Sequence, residues 1–222
     1  MSKPLLIIDI VADLVCPYCY LGYQRLQQAL DNQQHLYDYQ LSWQPYQLNP
    51  DLSAEGELLL AHLEQKLGRS QADIQATQTE LQAQAQVLGL TMNFPANQRL
   101  CNTGKAHRLA IWADTYDQQL GLMLALFAAY FTDQQDLNDN EVLLPLVASL
   151  GLPVDEAEKV LEQEQYQQEL DAKAEQWRKQ GIRSVPTYII NERYAISGAL
   201  DSAILEQGFA ELVAAMNKAA QG

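Results

Sequence analysis

Hydrophobic positions along this chain change period, and the changes mark its elements. Leu5-Leu6-Ile7-Ile8-Asp9-Ile10-Val11 is a nearly unbroken apolar run of the length a buried strand needs. Directly after it, Cys19, Tyr23, Leu26 and Leu30 recur at helical spacing. Residues 37–45 (YDYQLSWQP) then alternate and are rich in aromatics, which predicts a second strand, weakened by Pro45. Strand, helix and strand in this order read as a βαβ unit. Gln47-Leu48-Asn49-Pro50 breaks the pattern as a turn.

From about Ser53 to Gln165 the periodicity is helical throughout and no strand is expected. Leu58, Leu59, Leu60, Leu63 and Leu67 share one helical spacing that stops at Gly68. Residues 71–88 mix Gln, Ala and apolar positions and stop at Gly89. Helices are predicted over 105–116 and 120–131, the second so apolar that it must be buried. Two more follow, over 140–150 before Gly151 and from Pro153 to Leu161. The sheet pattern resumes at the end. A helix over 170–179 precedes Gly181, Thr187-Tyr188-Ile189-Ile190 and Tyr194-Ala195-Ile196 form a hairpin about Asn191-Glu192, and an amphipathic helix covers 201–217. The expected architecture is α/β: a thioredoxin-like fold in two parts, residues 1–52 and 166–222, interrupted by an all-α insertion over 53–165.

Composition narrows the function classes. With 28 acidic and 14 basic residues the formal charge is −14, which argues against nucleic acid and anionic membrane as partners. Nine of the acids fall between Asp133 and Glu164 with only Lys159 among them, the pattern of a solvated helical face. No stretch approaches the roughly 20 apolar residues of a membrane span. Between Lys3 and Asp9 only the four residues Leu5 to Ile8 are apolar, too few for a secretory leader, and the cysteine count is odd, so a cytoplasmic location is expected.

The chemistry concentrates at Cys16-Pro17-Tyr18-Cys19. A Cys-x-x-Cys pair at a strand-to-helix junction suits thiol–disulfide exchange. The first sulfur meets the unpaired N–H groups and dipole of a helix N-terminus, which favour a thiolate; the second lies one turn on. Pro17 fits the first helical position, where an N–H finds no partner. The competing reading is half a zinc site completed by Cys101 and His107, but the pair runs into an amphipathic helix and no second Cys-x-x-Cys follows. No metal is therefore expected, and Cys101 reads as a buried, inert thiol.

Ser184-Val185-Pro186-Thr187 supplies what the cysteines lack. A cis bond before Pro186, at the start of a strand beside the cysteine turn, would aim the Val185 backbone at a substrate chain. Arg183 lies three residues before Pro186 and is a candidate to assist the sulfurs. Asp13, three residues before Cys16, is a candidate to take the proton of Cys19.

The stretch from Asp9 to Gly22 resembles the active-site segment of the DsbA-family oxidoreductases, in particular their FrnE-like branch. Residues 43–50 (WQPYQLNP), Asn102-Thr103 with Ala106-His107-Arg108-Leu109, Val185-Pro186-Thr187 and Ile196-Ser197-Gly198-Ala199 match in the same order. The resemblance implies a thioredoxin fold with a helical insertion and a protein dithiol–disulfide oxidoreductase or isomerase. Its catalytic residues would be Cys16, Cys19 and Pro186, supported by Tyr18, Pro17 and Val185. It implies no cofactor beyond the redox-active Cys16–Cys19 disulfide, a thiol or disulfide substrate that is a protein or a small molecule, and glutathione as a candidate co-substrate. The same superfamily holds glutathione-using hydroxychromene-carboxylate isomerases and kappa-class transferases, which carry Ser at the first Cys position. On that alternative Asn49, Val185 and Asp201 would hold the tripeptide. Asn49, Asn102, His107 and Asp201 are the candidate substrate-binding residues, and the helical block is expected to line a groove over the site with the Asn102–His107 segment.

Overall fold

The computed structural model of the chain describes residues 3–219. Its elements are β1 (Leu5–Ala12), α1 (Pro17–Gln33), β2 (Asp38–Pro45), β3 (Glu57–Leu58), α2 (Leu59–Leu67), α3 (Gln71–Val87), β4 (Arg99–Leu100), α4 (Gly104–Asp114), α5 (Gln119–Phe131), α6 (Asn140–Ser149), α7 (Val154–Glu162), α8 (Gln167–Lys179), β5 (Thr187–Ile190), β6 (Tyr194–Ser197) and α9 (Ser202–Ala219). Mixed α/β structure of this order, with a thioredoxin fold and its added helices, is what the hydrophobic pattern predicts.

The main sheet has strand order β2-β1-β5-β6. β1 runs parallel to β2 and antiparallel to β5, with Val11 opposite Thr187, so the C-terminal end of β1 lies beside the start of β5. That register brings the cysteine turn to the Pro186 loop. β1 is exposed at Leu5 and Ile7 but buried from Ile10 through Ala12, because structure covers both its faces toward the cysteine end. The hairpin turn spans 191–193, one residue more than the sequence suggests. Asn191 takes φ 51° and Glu192 φ 56°. Asn191 also anchors the hairpin, its side-chain Oδ1 accepting from Ile7 N at 2.8 Å and its own N–H donating to Ile7 O at 2.8 Å.

Helix ends follow the glycines. Gly68, Gly89, Gly151 and Gly181 all take positive φ at or just past a helix C-terminus. The segment between β2 and α8 departs from expectation in one respect, because β3 and β4 form a two-stranded antiparallel ladder, Glu57 opposite Leu100. Two-residue strands carry too few alternations to register as a pattern. One hydrophobic cluster runs from β1 and α1 into α3, α4, α5, α6 and α7. Trp43 of β2 and Tyr20 of α1 both pack on Phe127 of α5, at ring-centroid distances of 5.5 and 4.8 Å. Gln119 reinforces the junction by accepting the Trp43 N–H at 2.8 Å.

Candidate active site

Cys16 is the N-cap of α1, with extended backbone (φ −91°, ψ 112°), and Pro17 follows as the first helical residue. Its carbonyl accepts the first N–H bonds of the helix, from Cys19 at 3.0 Å and Tyr20 at 3.4 Å. Its own N–H donates to Asp13 O at 3.2 Å, closing a turn between strand and helix. The two sulfurs differ in surroundings. Cys16 is 5% exposed and borders a cavity, whereas Cys19 has no exposed surface. Burial, then a hydrogen bond and charge interaction with Cys16, push the Cys19 thiol well above the usual range. The Asp13 N–H bonded to its sulfur opposes this.

The Val185–Pro186 bond is cis. Cys16 Sγ donates to the Val185 carbonyl at 3.8 Å, so the Pro186 loop touches the first sulfur. Thr187 Oγ1 donates to Ser184 O at 2.8 Å and Gly198 N–H to Pro186 O at 2.8 Å, which fix this loop on β6. Gly22 of α1 makes the close approach possible. A Cβ there would sit 2.5 Å from Tyr188 Oη and 2.8 Å from Pro186 Cγ. Tyr18, between the cysteines, is 45% exposed at the cavity wall.

Asp13 lies beneath the sulfurs, 1% exposed, and its carboxylate is fully engaged. Oδ2 accepts the Leu48 N–H at 2.8 Å and Oδ1 meets His107 Nε2 at 3.2 Å. His107 has no exposed surface and its Nδ1 is buried without a partner. As a substrate-binding candidate it is therefore corrected: it cannot meet a substrate and reaches the cysteines only through Asp13.

The other sequence candidates separate. Asn49 lines the same cavity as Cys16. Asn102 does not, because its side chain is spent on local structure. Oδ1 accepts the Gly104 N–H at 2.8 Å and Nδ2 donates to Leu52 O at 2.7 Å. Asp201 pairs with Arg25 at 3.2 Å outside the cavity wall. Arg183 is exposed and is absent from that wall too. Cys101 is 3% exposed, and burial pushes its thiol up to about 12, against a backbone hydrogen bond from Leu137 that lowers it. Among the described residues no group of three or more His, Cys, Asp or Glu side chains gathers as a metal site.

The cavity itself measures about 290 Å³. Val15, Cys16 and Tyr18 form one wall; Leu59, Leu63 and Leu67 of α2 with Ile74 and Leu81 of α3 form the other. The groove over the site is thus built by α2 and α3, not by the Asn102–His107 segment. Arg25 is a residue the pattern hides. It bonds Ala199 O at 2.7 Å and Gln84 Oε1 at 3.2 Å, tying α1 to the loop after β6 and to α3. An arginine on an amphipathic helix carries no sequence mark of such a bridging role.

A buried cysteine pair at a helix N-terminus, touching a cis-proline loop on a four-stranded mixed sheet, is the arrangement of a thioredoxin fold. Residues 7–210 match the family model of the DSBA-like thioredoxin domain, and the chain belongs to that family. Its relatives include the Bacillus subtilis protein YwbO, 25% identical over 205 residues, which is 92% of this chain and 96% of YwbO. Among solved structures it is similar to a probable DsbA oxidoreductase of Streptomyces coelicolor, with TM-score 0.87 and 27% identity over 93% of this chain and 89% of that one. A 2-hydroxychromene-2-carboxylate isomerase shares the fold at TM-score 0.72 and 17% identity, over 97% of this chain and 99% of that one.

Proposed function

We propose that the protein is a thiol–disulfide oxidoreductase that works through the Cys16–Cys19 pair. The observation that carries this reading is the asymmetry of the two sulfurs. Cys16 stands at the helix N-terminus on the cavity wall, and Cys19 stands behind it, fully buried and held as a thiol.

The chemistry follows from that asymmetry. The Cys16 thiolate attacks one sulfur of a substrate disulfide, forming a mixed disulfide and releasing the other sulfur as a thiolate that takes a proton. Cys19 then loses its proton, with Asp13 as the acceptor, and attacks the Cys16 sulfur. The Cys16–Cys19 disulfide forms and the second substrate thiol departs. Two electrons and two protons move from the dithiol to the substrate, and the reverse sequence oxidises a dithiol. Val185 supports the mixed-disulfide stage, because its backbone lies against Cys16 and offers strand-like pairing to a bound chain.

Replacing Cys19→Ser tests the reading, since the mixed disulfide then has no internal thiol to resolve it. The expected result is a covalent adduct on Cys16 after exposure to oxidised partners, identified by mass spectrometry. A protein adduct supports a protein oxidoreductase, and exclusive glutathione adducts support a glutathione-dependent isomerase or transferase on the same fold. Absence of any adduct on Cys16 under oxidising conditions overturns the redox reading.

A further inference from the structure

The cavity beside Cys16 has two properties that together describe its occupant. Its walls are apolar, with Leu59, Leu63, Ile74, Leu81, Phe94 and Phe131 facing the space next to the sulfur. At about 290 Å³ it lies at the small end of ligand sites, roughly 300 Å³ and upward. A folded chain cannot enter it, but a short aliphatic body can.

The second property is charge. The protein carries 28 acidic and 14 basic residues, yet the cavity wall includes Lys66, Arg69 and His62 and no Asp or Glu. Among the described residues neither full cation forms an ion pair with a carboxylate. Lys66 Nζ donates to Asn49 Oδ1 at 2.5 Å and to Leu48 O at 3.0 Å, both uncharged acceptors. Arg69 Nη2 donates to Asp73 O, a backbone carbonyl, at 3.1 Å and to Thr77 Oγ1 at 3.1 Å. His62 is bonded through Nδ1 to Glu57 Oε2 at 3.2 Å and through Nε2 to Asn49 Oδ1 at 3.1 Å, so its acidic neighbour is already engaged. In a chain with twice as many acids as bases, two cations on neutral partners beside an apolar space form a receptor for an anion with a hydrocarbon body.

Resting on the exchange chemistry proposed above, we propose that the substrate at this cavity is a small aliphatic thiol or disulfide bearing a carboxylate. Its sulfur meets Cys16, its hydrocarbon lies between α2 and α3, and its carboxylate meets Lys66 in the last turn of α2 and Arg69 in the connection to α3. The redox step is the one already written: dithiol plus substrate disulfide gives the Cys16–Cys19 disulfide plus substrate thiols. With a cyclic disulfide both product thiols remain on one molecule, and no further oxidant or reductant enters the step.

Lipoate and lipoamide are suitable probes, since they share the disulfide ring and aliphatic chain and differ in the charge at its end. Reduced full-length protein is mixed with each, and formation of the Cys16–Cys19 disulfide is followed by mass spectrometry. Lipoate is expected to react about tenfold faster than lipoamide at subsaturating concentration and low salt, the size of one charge-assisted contact. The lipoate-to-lipoamide ratio should fall toward one in Lys66→Gln and in Arg69→Gln, while Lys159→Gln, far along the sequence on α7, keeps it. Equal rates for the two probes, or a ratio that survives both cavity substitutions, overturn the proposal. Oxidised glutathione outpacing lipoate also overturns it, because that disulfide is anionic but has no hydrocarbon body. The small neutral hydroxyethyl disulfide separates the two levels of failure: if it too leaves Cys16 and Cys19 reduced, the exchange reading fails with the substrate class.

Discussion

At the scale of single residues the site depends on a difference between two sulfurs three positions apart. Cys16 borders open space, whereas Cys19 is sealed and its thiol is held protonated by burial. Limited alkylation of the reduced protein near neutral pH should therefore label Cys16 well before Cys19 or Cys101, as peptide mapping would read. First labelling of Cys101 would contradict the assignment, since its thiol is buried and pushed up to about 12. Asp13 gives a second prediction. Its Asn replacement retains an acceptor for the Leu48 N–H but removes the carboxylate proposed as the base for Cys19. Resolution of a preformed Cys16 mixed disulfide should slow about 100-fold at neutral pH, the lower end of general-base effects, and recover as pH rises. Stopped-flow release of a chromophoric thiol measures this, and an unchanged pH profile would remove Asp13 from the proton path.

At the scale of elements, the contact between α1 and β5 brings the cysteine turn to the Pro186 loop, and Gly22 permits it. Gly22→Ala places a methyl against Tyr188 Oη and Pro186 Cγ, so α1 must shift. The expected cost is about 1–3 kcal/mol from overpacking, partly offset by the better helix propensity of Ala, about 1 kcal/mol. Urea unfolding checks it, and a variant as stable as the parent would mean the contact is looser than described. These contacts also mark where the sequence is legible. Periodicity and terminal glycines place the helices to within a few residues, because amphipathic spacing and left-handed caps are local properties. The cysteine turn and the Pro186 loop stand out for the same reason. The cavity wall does not: Leu59, Leu63 and Leu67 read as one face of a helix, but nothing local says that this face closes over Cys16. Asn102 and His107 illustrate the converse. Both lie in a segment that matches a family of known chemistry, yet one amide stabilises its own loop and one imidazole is sealed under Asp13.

For the molecule as a whole, the reduced state should be sensitive to alkali. Burial raises the thiol of Cys101 to about 12 and the phenol of Tyr37, with help from Glu206 and Tyr39, to about 12; it raises Cys19 well above its usual range. In the unfolded chain these groups lose protons earlier. Between pH of roughly 9 and 12 the unfolded state then binds fewer protons than the native state, so stability falls as pH rises and is fully present below that window. Denaturant midpoints of the reduced protein should decrease through that range, and a flat profile would contradict the burial of these groups. No helix among the described residues is long and apolar enough to cross a membrane. The proposed function requires that Cys16 and Cys19 form one reversible dithiol–disulfide couple, which equilibration in glutathione redox buffers measures. The expected result is a single two-electron transition, about 30 mV per decade, in which the chain loses both thiols together and peptide mapping finds a bond between Cys16 and Cys19 with Cys101 still reduced. Stable glutathione on Cys16 with Cys19 left as a free thiol, or a bond that includes Cys101, would contradict it.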